Sequence, residues 1–249
     1  MNNIGLVVSF IFNIIICFGI PIGGLIYLRR KEKNLIRPFI VGVLVFFISQ
    51  VLLRLPLVQV LLPKMDWFAM MSSLNPVMYI FFMGITAGIF EEVGRFIGFR
   101  VALKENRSWI SGLAFGLGHG GIEAILIVGI SSISNLVALI NTPELFSTVQ
   151  CTEIFLGGIE RVIAIIIHIA CTLIVLYGIN KRNNLYLLLA ILIHGAIDST
   201  VGLLSMYRLS IYAIEGVLVV ISLIFLVYIF RSKKDFQSLE GVKFNEKIY

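Results

Sequence analysis

One apolar run of the chain, FFMGITAGIFEEVGRFIGFR (81–100), carries Glu91, Glu92 and Arg95 within five positions. Two other runs set a histidine four residues before an acid: GLGHGGIEAI holds His119 and Glu123, and LIHGAID holds His194 and Asp198. A fourth, IERVIAIIIHI, places Arg161 seven residues before His168. Residues four or seven apart lie on one face of a helix, so each run presents a pair of polar groups on one side.

This set suits water-activated hydrolysis. A carboxylate can take a proton from water as the water attacks a carbonyl, and imidazole donors can stabilise the oxyanion that develops. Burial disfavours an ionised carboxylate and a neighbouring arginine favours it; the run at 91–95 supplies both influences. The same residue types could also hold a metal: His119, His168 and His194 with Glu92 are suitable zinc ligands. The H-E-x-x-H helix of the common zinc proteases is absent from the sequence. A haem between two of the histidines is a poorer match, because carboxylates crowd them. No cofactor is expected, with zinc as the alternative.

The elements that carry these residues are membrane helices. Of 249 residues, 59% are hydrophobic and 14% charged, and the mean hydropathy is +1.00. A spanning helix needs about 20 apolar residues and satisfies its own backbone in lipid. Seven segments qualify: Ile4 to Leu28, Phe39 to Leu62, Val77 to Phe99, Trp109 to about Ile130, Ile154 to Ile179, Leu185 to Tyr207 and Ile211 to Phe230. The fourth apolar run continues to Ile140, so that span is long, tilted or broken near SSISN. The expected fold is an all-α polytopic bundle around a polar intramembrane cavity. It forms one domain over residues 1–231, with a short cytoplasmic tail over 232–249. The three cysteines show no paired motif and read as small buried residues with one loop thiol.

Fifteen of the twenty Lys and Arg fall in the loops and tail on one side, among them Arg29, Arg30, Lys104, Arg107, Lys181 and Arg182; the other side holds Lys64 and Arg208. Positive charge stays inside, which puts the N-terminus outside and the C-terminus in the cytoplasm. The net charge of +6 is then a topology signal, and no nucleic-acid partner is expected. The first span lacks a basic leader and a small-residue cleavage site and is expected to be retained.

A charge near the middle of a span costs roughly 2.5–3.5 kcal/mol, so the polar residues must cluster away from lipid. Counting from the basic rim at about 1.5 Å per residue, His119, His168 and His194 all lie about 18–20 Å deep, on three different helices. Gly116, Gly118, Gly120, Gly121, Gly195 and Ala196 flank them, and small residues let membrane helices approach closely. Arg54 and Glu215 also fall inside spans, with no motif around them; they read as partners of other polar groups or as interfacial.

Taken together, EEVGR, FGLGH and HGAID, in that order on successive spans, resemble the CAAX-protease and bacteriocin-processing superfamily. The longer stretches EEVGRFIGFR, GHGGIEAI, IERVIAIIIHI and LIHGAID resemble its YhfC branch most, and the PrsW proteases more distantly. The resemblance implies a glutamic-type intramembrane endopeptidase, earlier read as a metallopeptidase. It also implies a conical cavity open to the cytoplasm and the membrane, and a membrane-associated peptide or protein as substrate. By motif, Glu91 becomes the base, and His119, His194 and Asp198 the oxyanion-side groups. Arg95, Glu123, Arg161 and His168 support them. The implied setting is a bacterial plasma membrane. Two departures stand out. The arginine comes one residue early, so helical spacing turns Glu91 toward Arg95 and leaves Glu92 the freer carboxylate. Asp198 replaces the usual Asn. The alternatives are a non-catalytic scaffold or immunity-type protein that keeps the polar core, and a polar-lined transporter.

Overall fold

A computed structural model describes residues 3–245, and no strand occurs among them. Seven helices are long and apolar enough to span a bilayer: α1 (Asn3–Arg29), α2 (Lys33–Lys64), α3 (Pro76–Ala102), α4 (Trp109–Asn141), α5 (Cys151–Lys181), α6 (Leu185–Met206) and α7 (Ile211–Asn245). A short helix, Asp66–Leu74, links α2 to α3. The protein is a polytopic helical membrane bundle. The fourth span is long rather than broken, for α4 continues through SSISN to Asn141. The last helix passes the expected boundary at Arg231 without a break. Phe236 is buried, and Ser232 Oγ accepts from Trp109 Nε1 at 3.1 Å, so the start of the expected tail packs on the bundle. Residues 246–249 of that tail lie outside the described residues.

Local chemistry sets the helix ends on the basic-loop face. Ser108 caps α4 by accepting from the Ser111 N–H. Arg182 closes α5 in the left-handed region, at φ 55°. Helix α5 is the central post: 72% of its apolar window is buried, against 22–33% for the other spans. It packs against α1, α4, α6 and α7.

Two glycine contacts bring the polar runs together. A Cβ on Gly42 of α2 would strike the Phe115 carbonyl of α4, and one on Gly118 would strike the Phe39 carbonyl. Likewise a Cβ on Gly88 of α3 would come 2.6 Å from the Ile191 carbonyl of α6. The near-contact of backbones holds α2 against α4 and α3 against α6. A packed cluster that includes Phe99, Leu103, Phe115, Leu173, Leu176 and Phe236 fills the bundle between the histidine level and the basic loops.

Candidate active site

Helix α3 presents Glu91, Glu92 and Arg95, all buried. Neighbours on a helix point about 100° apart, and the two glutamates diverge accordingly. Glu92 turns toward α6, where its Oε1 takes the Arg95 Nη1 in a close ion pair and the His194 Nδ1 at 2.6 Å. Glu91 turns toward α2 and α4. Its Oε2 lies 2.9 Å from His119 Nε2 and 3.3 Å from Arg95 Nη2. The spacing argument that left Glu92 the freer acid is therefore corrected. A guanidinium has two ends; Arg95 bridges both carboxylates and closes more tightly on Glu92.

The three histidines do share one level: ring centroids are 5.2 Å apart for His119 and His168, and 5.6 Å for His168 and His194. Arg95 Nη2 donates to His168 Nδ1 at 2.6 Å, so His168 carries its proton on Nε2 and donates to Glu123 Oε2 at 2.5 Å. Glu123 also accepts from Arg161 Nη1 at 2.9 Å, and Arg161 holds Glu160. The shared face of His119 and Glu123 does not become a bond between them. Glu123 instead reaches across to α5, where the seven-residue spacing of Arg161 and His168 offers two charge-compatible donors. His194 Nε2 lies 3.7 Å from both Glu91 Oε1 and Asp198 Oδ2, beyond hydrogen-bond reach. The Asp198 side chain is 44% exposed.

Sequence reasoning missed Gln50, while Arg54 is, as expected, the partner of other polar groups. Gln50 of α2 donates through Nε2 to Glu91 Oε1, opposite His119. Arg54 fixes that amide by donating to Gln50 Oε1 at 3.2 Å, and anchors itself on the Met83 carbonyl at 2.7 Å and on Thr86 Oγ1 at 3.3 Å. Gln50 and Arg54 lie in a stretch of π-helical turns, Phe47–Arg54. Pro56, just beyond, has no N–H to donate to the ladder, and the Leu55 N–H reaches back five residues to the Gln50 carbonyl. The available signal was Gln50 and Arg54 four apart in an otherwise apolar span. Glu215 is buried with one oxygen unpartnered and makes no bond to this network.

A cavity of about 520 Å³ adjoins the site. Glu91, His168, His194, Glu123 and Asp198 line it, and Glu92 does not. Its lining does not extend toward the basic loops, the direction that the resemblance implied for a cytoplasmic opening, because the packed aromatic and leucine cluster fills that side.

The fold and site define a multi-pass helical membrane protein with a buried acid–histidine–arginine centre beside a cavity. A family model described as "YhfC intramembrane metalloprotease" matches residues 16–222. "Uncharacterized membrane protein YhfC" of Bacillus subtilis (strain 168) is 34% identical over 247 residues, covering 89% of this chain and 94% of that protein. The chain belongs to the YhfC family. No solved structure matches it.

The family's description implies a metal, and two donor groups qualify by residue type. Glu91, His119 and His168 bring ligand atoms within 4.8 Å of one another, as do Glu92, Cys171 and His194. The single set expected from sequence, Glu92 with all three histidines, is thus divided between two sides of α3. One glutamate with two histidines is a zinc-hydrolase donor set. As arranged, however, the first group does not fit an ion. Arg95 Nη2, 2.6 Å from His168 Nδ1 and 3.3 Å from Glu91 Oε2, occupies the place between the donors. That guanidinium keeps its charge and repels a second cation. In the second group Glu92 is already engaged by Arg95 and His194, and neither Glu92 nor Cys171 lines the cavity, whereas a catalytic metal needs an open coordination position.

Proposed function

We propose that this chain is an intramembrane endopeptidase that hydrolyses a peptide bond in a membrane-associated peptide or protein, with Glu91 as the base that activates water. The observation that carries the reading is the division of labour on α3. Glu91 lines the cavity and is held from three sides by Gln50, His119 and Arg95. Glu92 is enclosed and committed to Arg95 and His194.

In this reading water binds between Glu91 and the substrate carbonyl. Glu91 takes a proton as the oxygen attacks, and later passes it to the leaving amine. His194 donates through Nδ1 to Glu92, so its Nε2 presents a proton to the cavity, where the oxyanion forms, when the ring is the imidazolium. Asp198 stands one turn further along the same wall. Glu123 and Arg161 hold His168 in the tautomer that accepts from Arg95, which keeps the guanidinium in place. The cytoplasmic C-terminus and plasma-membrane setting expected from the basic loops belong to the same proposal.

The test is cleavage of a library of membrane-segment peptides by purified protein in lipid discs, with Glu91→Gln alongside. Cleavage by wild type and loss of at least 100-fold in Glu91→Gln support the reading. A folded wild-type protein that cleaves nothing in the library favours the scaffold alternative.

A further inference from the structure

The cavity has a direction. On every helix that lines it, the lining residues run from the histidine level away from the basic loops. Helix α2 contributes Phe46 through Leu55, α4 Glu123 through Ile127, α5 His168 back to Glu160, and α6 His194 through Val201. Each series moves toward the ends joined by the two loops that hold Lys64 and Arg208 or toward the loop after Asn141. Along α6 exposure rises the same way, from 5% at His194 to 44% for the Asp198 side chain, while the α5 wall stays buried, Arg161 at 6% matching His168 at 5%.

The other direction is closed. Phe99 stacks on Phe115 at 4.5 Å, and Phe115 in turn on His119 at 6.2 Å. Beyond them, Arg107 donates to the Phe99 carbonyl at 3.1 Å, Arg37 to the Ala102 carbonyl at 2.8 Å and Asn180 to the Arg107 carbonyl at 3.0 Å, pinning the α3–α4 loop across the end of the bundle. A separate depression on the basic-loop face is lined by residues 32–41 with Glu105 and Asn106, and shares no lining residue with the site cavity. By helical rise Glu91 lies about 17 Å from the α3 end at Ala102 and about 22 Å from the end at Pro76. The site is thus nearer the face from which it is sealed.

The lining also limits what enters. Most of it is apolar, including Val51, Leu55, Leu126, Ile163, Ile197 and Val201.

We infer that the substrate presents an apolar segment that reaches Glu91 along a water-accessible route from the face opposite the basic loops. This rests on the protease reading, but its test is independent of turnover. Ile197→Cys, Val201→Cys and Arg182→Cys are each placed in a Cys151→Ser background, the buried Cys17 and Cys171 being retained. They are treated with a membrane-impermeant maleimide in intact cells and in inverted vesicles. The expected result is labelling of Ile197→Cys and Val201→Cys from one side and of Arg182→Cys from the other. Labelling of all three from the same side overturns the inference. So does failure of both cavity positions to label from either side while Arg182→Cys labels, since no watery route then exists. The parent Cys151→Ser protein must stay unlabelled. An inactive protein with the expected labelling would refute the protease reading and leave the direction of access standing.

Discussion

Removing the charge of Glu92 without changing its shape separates the two adjacent carboxylates. In Glu92→Gln the amide cannot neutralise Arg95, whose Nη1 pairs with Glu92 Oε1, nor accept fully from His194 Nδ1 at 2.6 Å. Breaking a buried ion pair from one side costs about 3–5 kcal/mol. Glu91 remains 3.3 Å from Arg95 Nη2 and softens the loss, so about 3 kcal/mol is the expected value. For a chain of this length that corresponds to a fall of roughly 6–12 °C in melting temperature. Glu91→Gln is the contrast. It leaves the Arg95–Glu92 pair intact, and its amide oxygen can still accept from His119 while its N–H then faces Gln50 Nε2, so the melting temperature should fall less than in Glu92→Gln. Its cleavage rate should fall by about 10²–10⁴, the range for loss of a general base. Both variants are measured in the same lipid discs by thermal unfolding and by single-turnover cleavage. The reasoning is refuted if Glu92→Gln melts like wild type but loses cleavage while Glu91→Gln keeps it. If both fold and cleave at wild-type rates, neither carboxylate is the base.

Three further outcomes are expected. Gln50→Leu removes a donor to the Glu91 carboxylate; a hydrogen bond to a charged group contributes about 1.5–3 kcal/mol, so the melting temperature should fall by roughly 3–12 °C, and an unchanged melting temperature would show that this bond does not hold Glu91. Chelators should leave both melting temperature and cleavage unchanged, because Arg95 stands between the donors; stoichiometric zinc in purified protein, lost in His119→Ala, would show that the guanidinium gives way to an ion. Reporter fusions after Lys33, Arg107 and Arg182 should read cytoplasmic and one at Thr142 external; a cytoplasmic reading at Thr142 would break the assigned orientation.

The polar residues themselves were legible in sequence because each interrupts an apolar run, and lipid tolerates such interruptions only when they meet. Counting along the helices placed the three histidines at one level, and they meet there. What spacing could not supply was the partner. Four-residue spacing says that His119 and Glu123 share a face; it does not say that α5 stands opposite with Arg161 and His168. The same limit hid Gln50, whose purpose exists only once Gly42 and Gly118 let α2 lie against α4, and it left the polar partner of Arg54 unnamed. The direction of the cavity was hidden for a different reason. Phe99, Phe115 and Leu173 are as apolar as the residues that face lipid, and only packing shows that they form a plug.

The charges in the core explain why one carboxylate is left available. Two buried acids, Glu91 and Glu92, and the half-buried Glu123 face two buried guanidiniums, Arg95 and Arg161. Arg161 is spent on Glu123 and Glu160, and Arg95 lies closest to Glu92. Glu91 is held mainly by Gln50 and His119, with only the far end of Arg95 beyond them. Such an anion is costly to bury, and the arrangement limits that cost by setting it against the cavity, where water can reach it. A fully neutralised Glu91 would make a more stable bundle and a weaker base. The surplus charge in the span that opened the question therefore falls on the acid from which the proposed reaction requires basicity.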